Sequence, residues 1–265
     1  MIIGFIGGGN MAEGIIKGLL KSGATGAGEI YVNDVSESRT DYLKKTYGVK
    51  IAGKDKISAE SDLIVLAVRP QDAAKVSEEL KDITKNGQII VSICAGIKIP
   101  TLKSLLGDNK KYARIMPNTM TELRRGYSAL AFEDGRFNES EQELVKTITD
   151  AIGRTLLLDE SQFDAFTALS CAGPEWFILF ATALVDGGVK IGLSREVSRA
   201  IVYENMEATG RLLSESDKHP YEITDDMNTP GGIGIAGYHS FQNSGLNGAV
   251  MDAVYAAYKR TTELG

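Results

Sequence analysis

The sequence predicts an α/β protein in which a doubly wound sheet is followed by an all-helical domain. Three observations predict it. The chain opens on an apolar run that enters the turn Gly7-Gly8-Gly9 and then a helical pattern, which is the strand–turn–helix order of a dinucleotide site. Up to about Asp159, apolar runs alternate with helical segments at spacings that fit right-handed βαβ crossovers. Beyond Ser161 the β-branched runs stop and helical periodicity takes over.

The first strand is expected over residues 2–6. Gly7 then takes the tight turn, Gly9 lets backbone approach a pyrophosphate, and Ala12 stands where G-x-G-x-x-G/A needs a small residue for close helix–strand packing. A helix over 11–20 aims its N-terminal amides and dipole at the phosphates, so Asn10 and Met11 join Gly7 and Gly9 as candidate cofactor contacts. A second strand over 29–33 ends in Asp34, where a carboxylate takes both ribose hydroxyls of NAD and repels a 2′-phosphate. Ser36, Arg39, Lys44 and Lys45 are available to such a phosphate, or else form a solvated helix face, so NAD and NADP both stay open.

Further strands are expected over 63–67, 88–93, 113–116, 127–132 and 155–158, with a domain boundary near residue 160. That gives a dinucleotide-binding domain, 1–160, and a helical domain, 161–265. Helices are expected over 163–189, 194–213 and 247–263, with Ser194 as an N-cap and with Gly192 and Gly210 breaking or ending the pattern. Ile178, Ala181, Leu184, Val185 and Val189 crowd one helix, and Val250, Val254, Ala257 and Thr261 follow helical spacing along the last. Such faces pack as core against the first domain or as a dimer surface, and both can hold.

Composition narrows the function classes. The chain of 265 residues carries a net charge of −6, which argues against a sequence-independent nucleic-acid binder. No apolar run is expected to reach the roughly 20 residues of a membrane span, and the start lacks a basic leader. Cys94 and Cys171 are the only cysteines and have no zinc spacing, so a reduced, cytoplasmic setting without metal is expected. His219-Pro220 opens a helix and His239 lies within one, so neither histidine is placed in the chemistry.

Several further segments then fall into register: Ala67-Val-Arg69-Pro70-Gln71, Ser92-Ile-Cys-Ala95-Gly96-Ile97, Arg114-Ile-Met116-Pro117-Asn118-Thr119, Leu169-Ser170-Cys-Ala-Gly173-Pro174, Asp186-Gly-Gly188-Val-Lys-Ile-Gly192 and Thr229-Pro230-Gly231-Gly232. In order and spacing they resemble the pyrroline-5-carboxylate reductases, the last enzymes of proline synthesis, over essentially the whole chain. The resemblance implies a Rossmann-type N-terminal domain and a helical C-terminal dimerisation domain that interlocks with a second subunit, often within a ring of dimers. It also implies hydride transfer from reduced NADP or NAD to a cyclic imino acid, giving proline.

Under that resemblance Ala67, Arg69 and Pro70 lie at the carboxyl edge of the sheet against the cofactor, and Ala95 leaves room for the nicotinamide. Asn118 holds a carboxamide or ribose, or is a turn asparagine bonding its own backbone. Arg69 has the parallel alternative of a surface charge before a turn proline. Thr229, Gly231, Gly232, Ile233 and Gly234 form the loop that receives the substrate carboxylate, although Pro-Gly alone would also explain an ordinary turn. A protonated imine is already electrophilic, so positioning and carboxylate capture carry most of the rate.

The departures from the family pattern gather in the substrate half. Ala172 replaces a serine, Glu175 a small residue, Trp176 a tyrosine, and Gly234 a threonine whose hydroxyl bonds the ring nitrogen. Met120 replaces a proline, and Arg125 stands where an acid is common. Glu175 and Thr229 are the candidate catalytic residues: Glu175 either meets a cationic group on the imine or is a helix-start acid favoured by the dipole. Reduction of 1-pyrroline-5-carboxylate is thus the leading expectation, with a different cyclic imine or a regulatory nucleotide-binding paralogue as alternatives.

Overall fold

The structure, a computed structural model, describes residues 1–263 apart from the side chain of Glu122, so the last two residues of the expected helical domain lie outside it. The chain divides into two compact units: the first holds the residues up to Cys171 together with the chain from Tyr258 onward, and the second is Ala172–Ala257. The chain thus passes from the first unit to the second at Cys171/Ala172 and returns to the first at Tyr258.

In the first unit β1 (Ile3–Ile6) leads to α1 (Asn10–Ser22), β2 (Ile30–Asn33), α2 (Glu37–Tyr47), the edge strand β3 (Lys50–Ile51) and α3 (Lys54–Glu60). The chain then crosses to the other side of β1 with β4 (Leu63–Leu66), α4 (Pro70–Lys81), β5 (Ile89–Ser92), α5 (Ile99–Leu106), β6 (Lys111–Pro117), β7 (Gly126–Phe132), α6 (Glu139–Ile152) and β8 (Gly153–Leu157). The spatial order is β3-β2-β1-β4-β5-β6-β7-β8. Strands β1, β4 and β5 are buried along their whole length because helices cover both faces of the sheet, which is why they read as unbroken apolar runs.

Two features differ from expectation. The pairing of β6 with β7 is antiparallel, with Ala113 opposite Phe132 and Pro117 opposite Ser128. Residues 118–125 between them are too few for the roughly dozen residues of a parallel crossover. Strand β3, exposed and only two residues long, carries no apolar alternation to reveal it.

Helices α1 and α6 are held against each other at a glycine. A Cβ on Gly18 would lie 2.6 Å from Ile152 Cγ2 and 2.8 Å from the Ala151 carbonyl oxygen, so the two helices touch backbone to side chain there. On β6 the buried Arg114 guanidinium donates to Glu160 (2.8 Å) and lies over the Phe163 ring, while Glu160 also accepts from the Ile99 amide (2.7 Å).

A short α7 (Phe163–Phe166) and a π-helical turn (Thr167–Cys171) continue without a break into α8 (Ala172–Lys190). The helical run Glu160–Lys190 contains an 18-residue window of mean hydropathy 1.5, long and apolar enough by composition to cross a membrane, contrary to the expectation of no such run. The second unit adds α9 (Arg195–Glu215), α10 (Pro220–Met227), α11 (Ile233–Asn243) and α12 (Leu246–Thr262), whose last turns belong to the first unit. Ser194 caps α9 by accepting from the Val197 amide, as expected, and Gly192 turns the chain at φ 104°. Gly210 lies inside α9 and does not break it. Within the second unit Ala181 and Val185 are buried, whereas Phe177, Ile178, Leu179, Ile191, Met251 and Tyr255 are largely exposed.

Gly18→Ala is expected to destabilise the first unit by about 1–3 kcal/mol through overpacking, read as a lower Tm. An unchanged Tm would mean that α1 and α6 are not locked together at this point.

Candidate active site

The chain reverses direction across the sheet between β1 and β4, and at such a point the carboxyl ends of neighbouring strands open a crevice. Gly7 sits at its floor. Its amide donates to the Asn33 carbonyl (2.8 Å), its φ is 103°, and a Cβ there would lie 2.4 Å from the Ala67 carbonyl oxygen. Only glycine fits both conditions. Gly9, by contrast, has nothing within 4 Å of its Cβ position and is exposed, as is Asn10, which opens α1. The partly buried Met11 follows in the first turn. A nucleotide phosphate brought to this turn would meet free helix amides and an open glycine face, so the residues fit the group.

The loop between these glycines is pinned at both polar ends. Gly8 N–H donates to Asp34 Oδ2 (2.7 Å), while Asp34 Oδ1 accepts from the Ser36 amide (2.9 Å). The Gly8 carbonyl accepts from Arg39 Nε. Arg39 in turn is paired with Glu13 of α1 and lies over the Tyr42 ring at 5.2 Å. Glu13 also accepts from Tyr42 (3.0 Å) and Tyr47 (2.7 Å). Burial pushes the Glu13 carboxyl up, but hydrogen bonds from Tyr47, Arg39 and Tyr42 outweigh it and hold it below the ordinary glutamate range. Arg39 is therefore engaged with the protein, whereas Val35, 97% exposed, and Ser36 face solvent beside the end of β2.

Ala67 donates its amide to the Ile6 carbonyl (2.8 Å), which sets the β4 end against the glycine turn. Arg69 caps α4, with Pro70 as its first residue, and its exposed side chain pairs with Asp72 (2.9 Å), the surface geometry of the alternative reading. Ala95 is partly buried just past β5, where the Cys94 amide folds back on Ser92 Oγ (3.2 Å). Asn118 is buried: Oδ1 accepts from the Met120 and Tyr127 amides (both 3.2 Å), and Nδ2 faces Ser170 through its hydroxyl (3.3 Å) and its carbonyl (3.4 Å). Its side chain thus braces the turn after β6, at the end of the sheet that carries the crevice.

In the second unit Thr229, Pro230 and the glycines Gly231 (φ 69°) and Gly232 lead into α11, with Gly232 N–H donating to the Thr229 carbonyl (2.9 Å). A Cβ at Gly232 would strike Thr229 Oγ1, so the hydroxyl is folded over the loop. Ile233, 97% exposed, and Gly234 form the open first turn of α11. Glu175 is exposed near the start of α8, but the π turn before it removes the free helix end that the dipole reading required. His219 caps α10, accepting from the Tyr221 amide (3.3 Å), and His239 lies on α11 facing Asn243, as expected for structural roles. Among the described residues no cluster of ligands for a metal occurs. Sequence analysis gave no role to Glu13, whose contacts run from α1 to Arg39, Tyr42 and Tyr47 of α2, elements that no local spacing joins.

Sheet order, glycine turn and strand-end crevice define the fold of an NAD(P)-binding oxidoreductase. Residues 2–96 match the family described as NADP oxidoreductase, coenzyme F420-dependent, and residues 160–264 match that described as pyrroline-5-carboxylate reductase dimerisation. Pyrroline-5-carboxylate reductase of Arabidopsis thaliana is 34% identical, covering 99% of this chain and 95% of its own length, and pyrroline-5-carboxylate reductase 3 of Danio rerio is 37% identical over 99% and 91%. The crystal structure of Plasmodium falciparum pyrroline carboxylate reductase with NADP bound superposes with a TM-score of 0.90 at 27% identity, covering 100% of this chain and 98% of that one. The chain belongs to the pyrroline-5-carboxylate reductase family.

Gly9→Glu should leave the fold intact, since the position is open at φ −64°. A carboxylate against a pyrophosphate costs about 1–4 kcal/mol, so cofactor affinity is expected to fall roughly tenfold to a thousandfold. Titration by nicotinamide fluorescence checks this, and unchanged affinity removes Gly9 from the site. Glu13 gives a pH signature. Its carboxyl is lowered in the folded state, so its stabilisation is present above the ordinary glutamate value of about 4.3 and is lost as pH falls through the lowered value. The Tm gap between wild type and Glu13→Gln should narrow with falling pH over that window; a constant gap would mean that the charge plays no part.

Proposed function

We propose that this chain reduces 1-pyrroline-5-carboxylate to proline by hydride transfer from a reduced nicotinamide cofactor. One observation carries the reading: relatives bearing that activity in their names match 99% of the chain, so the likeness spans the Gly7–Gly9 turn and the Thr229–Gly232 loop alike. The cofactor supplies the hydride. Gly7, Gly9, Asn10 and Met11 hold its pyrophosphate, Asp34 and Val35 meet its adenosine ribose, and Ala67, Arg69, Pro70 and Ala95 border its path toward the nicotinamide. Asn118, braced on the turn after β6, offers its amide Nδ2 to the carboxamide or ribose from the same side. Thr229, Gly231, Gly232, Ile233 and Gly234 receive the substrate carboxylate through the first amides of α11, with Thr229 at the head of the loop.

The protein acts in the cytoplasm as a homodimer through its helical residues, assembled into a ring of dimers, and has no nucleic-acid or membrane partner. The apolar side chains exposed on α8, α9 and α12 support this, since a second copy removes them from water. The same cover accounts for the apolar run within Glu160–Lys190.

Oxidation of NADPH and of NADH by the purified chain, with 1-pyrroline-5-carboxylate as acceptor and proline as product, tests the assignment. Tight cofactor binding without turnover of this imine would overturn it. Cofactor choice has its own test. Asp34 must be kept, because its carboxylate holds the Gly8 amide. Val35→Arg places a guanidinium at the exposed end of β2 and is expected to raise the NADPH:NADH ratio of kcat/KM by about tenfold. A ratio that stays put would place the 2′-position elsewhere.

A further inference from the structure

We propose that Asn228 supplies the hydrogen-bond acceptor for the ring nitrogen of the substrate, and that Asn228 and Gly234 are a coupled pair in which the amide oxygen occupies the space that a side chain at 234 would need. The inference rests on the pyrroline-5-carboxylate reading and adds a specificity-determining residue to its site.

Asn228 ends α10. Its backbone N–H donates to the Asp225 carbonyl (2.9 Å) and its side-chain Nδ2 to the Thr224 carbonyl (3.0 Å). A backbone carbonyl can only accept, so this bond identifies the nitrogen and turns Oδ1 to the opposite side of the amide. Oδ1 has no donor among the described residues, although Asn228 is partly buried. It looks instead onto Gly234: a Cβ built there would lie 3.0 Å from Oδ1 and 3.5 Å from the Met227 carbonyl oxygen. The exposed glycine in the first turn of α11 thus forms a notch, and the single polar side-chain atom that reaches it is an acceptor held by its own helix end.

The chemistry requires an acceptor at such a point. The protonated imine nitrogen carries one N–H and a positive charge. When the adjacent ring carbon takes the hydride, the carbon–nitrogen π pair moves to nitrogen and leaves a neutral secondary amine, which then takes a proton from water. An amide oxygen bonded to the N–H favours the protonated, electrophilic form of the imine and orients the ring. A threonine hydroxyl at 234 would offer the same acceptor from the other side, and its Cβ would press on Asn228 Oδ1. The two solutions crowd each other: at 3.0 Å the Asn228 amide has to give way by a few tenths of an ångström to admit a Cβ at 234, which takes its oxygen off its present position.

Four proteins test this: wild type, Asn228→Ala, Gly234→Thr and the double variant. Asn228→Ala is expected to lower kcat/KM for 1-pyrroline-5-carboxylate roughly tenfold to a hundredfold and to weaken proline binding alike, with the Kd for NADPH unchanged. Gly234→Thr alone should lose activity, whereas the double variant should recover most of the loss caused by Asn228→Ala. A residue that only caps α10 would give a loss that threonine at 234 cannot restore. Recovery of turnover and proline binding by the double variant, with its Tm still at the level of Asn228→Ala, therefore separates contact from cap. Wild-type kcat/KM in Asn228→Ala, or a double variant no better than Asn228→Ala, overturns the inference alone. A wild type that binds NADPH but does not turn over this imine overturns the functional reading and the inference with it.

Discussion

The absence of room for a side chain at Gly7 is the constraint on which the nucleotide half depends. Its Cα lies against the Ala67 carbonyl, where the end of β1 is flanked by β2 on one side and β4 on the other. The positive φ of Gly7 swings the chain up from the sheet at this point, so that α1 begins directly above the crevice with its free amides turned to the strand ends. The next peptide is then fixed through Gly8, whose N–H is taken by Asp34 and whose carbonyl is taken by Arg39. With both polar ends of Gly8 occupied, the open face of the turn is left to Gly9. A phosphate therefore meets a backbone already in position, and the ordering cost is carried by the fold instead of by binding.

The helical unit is governed by the opposite condition, a shortage of interior. Its large apolar residues lie mostly in contact with solvent, and α12 has no buried residue at all. A helix pair such as α8 and α9 with so small a buried stripe cannot offset the chain entropy of some forty ordered residues, at about 1–2 kcal/mol each. The unit must complete its core on another copy, which agrees with its match to the family's dimerisation segment. The Thr229–Gly232 loop joins two helices of this same unit, α10 and α11, whose described residues include none that is fully buried.

Legibility in the sequence followed how local each cause is. The buried parallel strands were readable because burial on both faces leaves an unbroken apolar run, and Ser194 was readable because a cap acts within one turn. The direction of β7 depended on counting the residues that join it to β6, and a pattern of apolar runs carries no direction. Asn118 carried an ambiguous signal: the same side chain suits a turn or a ligand, and its bonds to Tyr127 and Ser170 join parts of the chain that no local spacing connects. Arg39 read as a phosphate partner because Glu13, distant in sequence, is its neighbour in space. Asn228 stayed silent for another reason: it lies close to Gly234 in sequence, but its amide meets that glycine only once the chain has turned from α10 into α11.

This difference in locality also accounts for where the chain departs from its family. In the nucleotide half single residues satisfy several demands at once: Gly7 needs both its backbone angle and its lack of Cβ, and Asp34 holds the amides of Gly8 and Ser36 together. A substitution at either disturbs the loop before it changes a ligand. The second unit carries its departures at positions with fewer ties. Glu175 is exposed, and a Cβ at Gly234 would meet, outside its own helix, Asn228 Oδ1 and the Met227 carbonyl. Such positions can exchange one hydrogen-bonding group for another without a cost to the sheet, which is the physical condition for an active site to keep its reaction while the groups that hold the substrate are replaced.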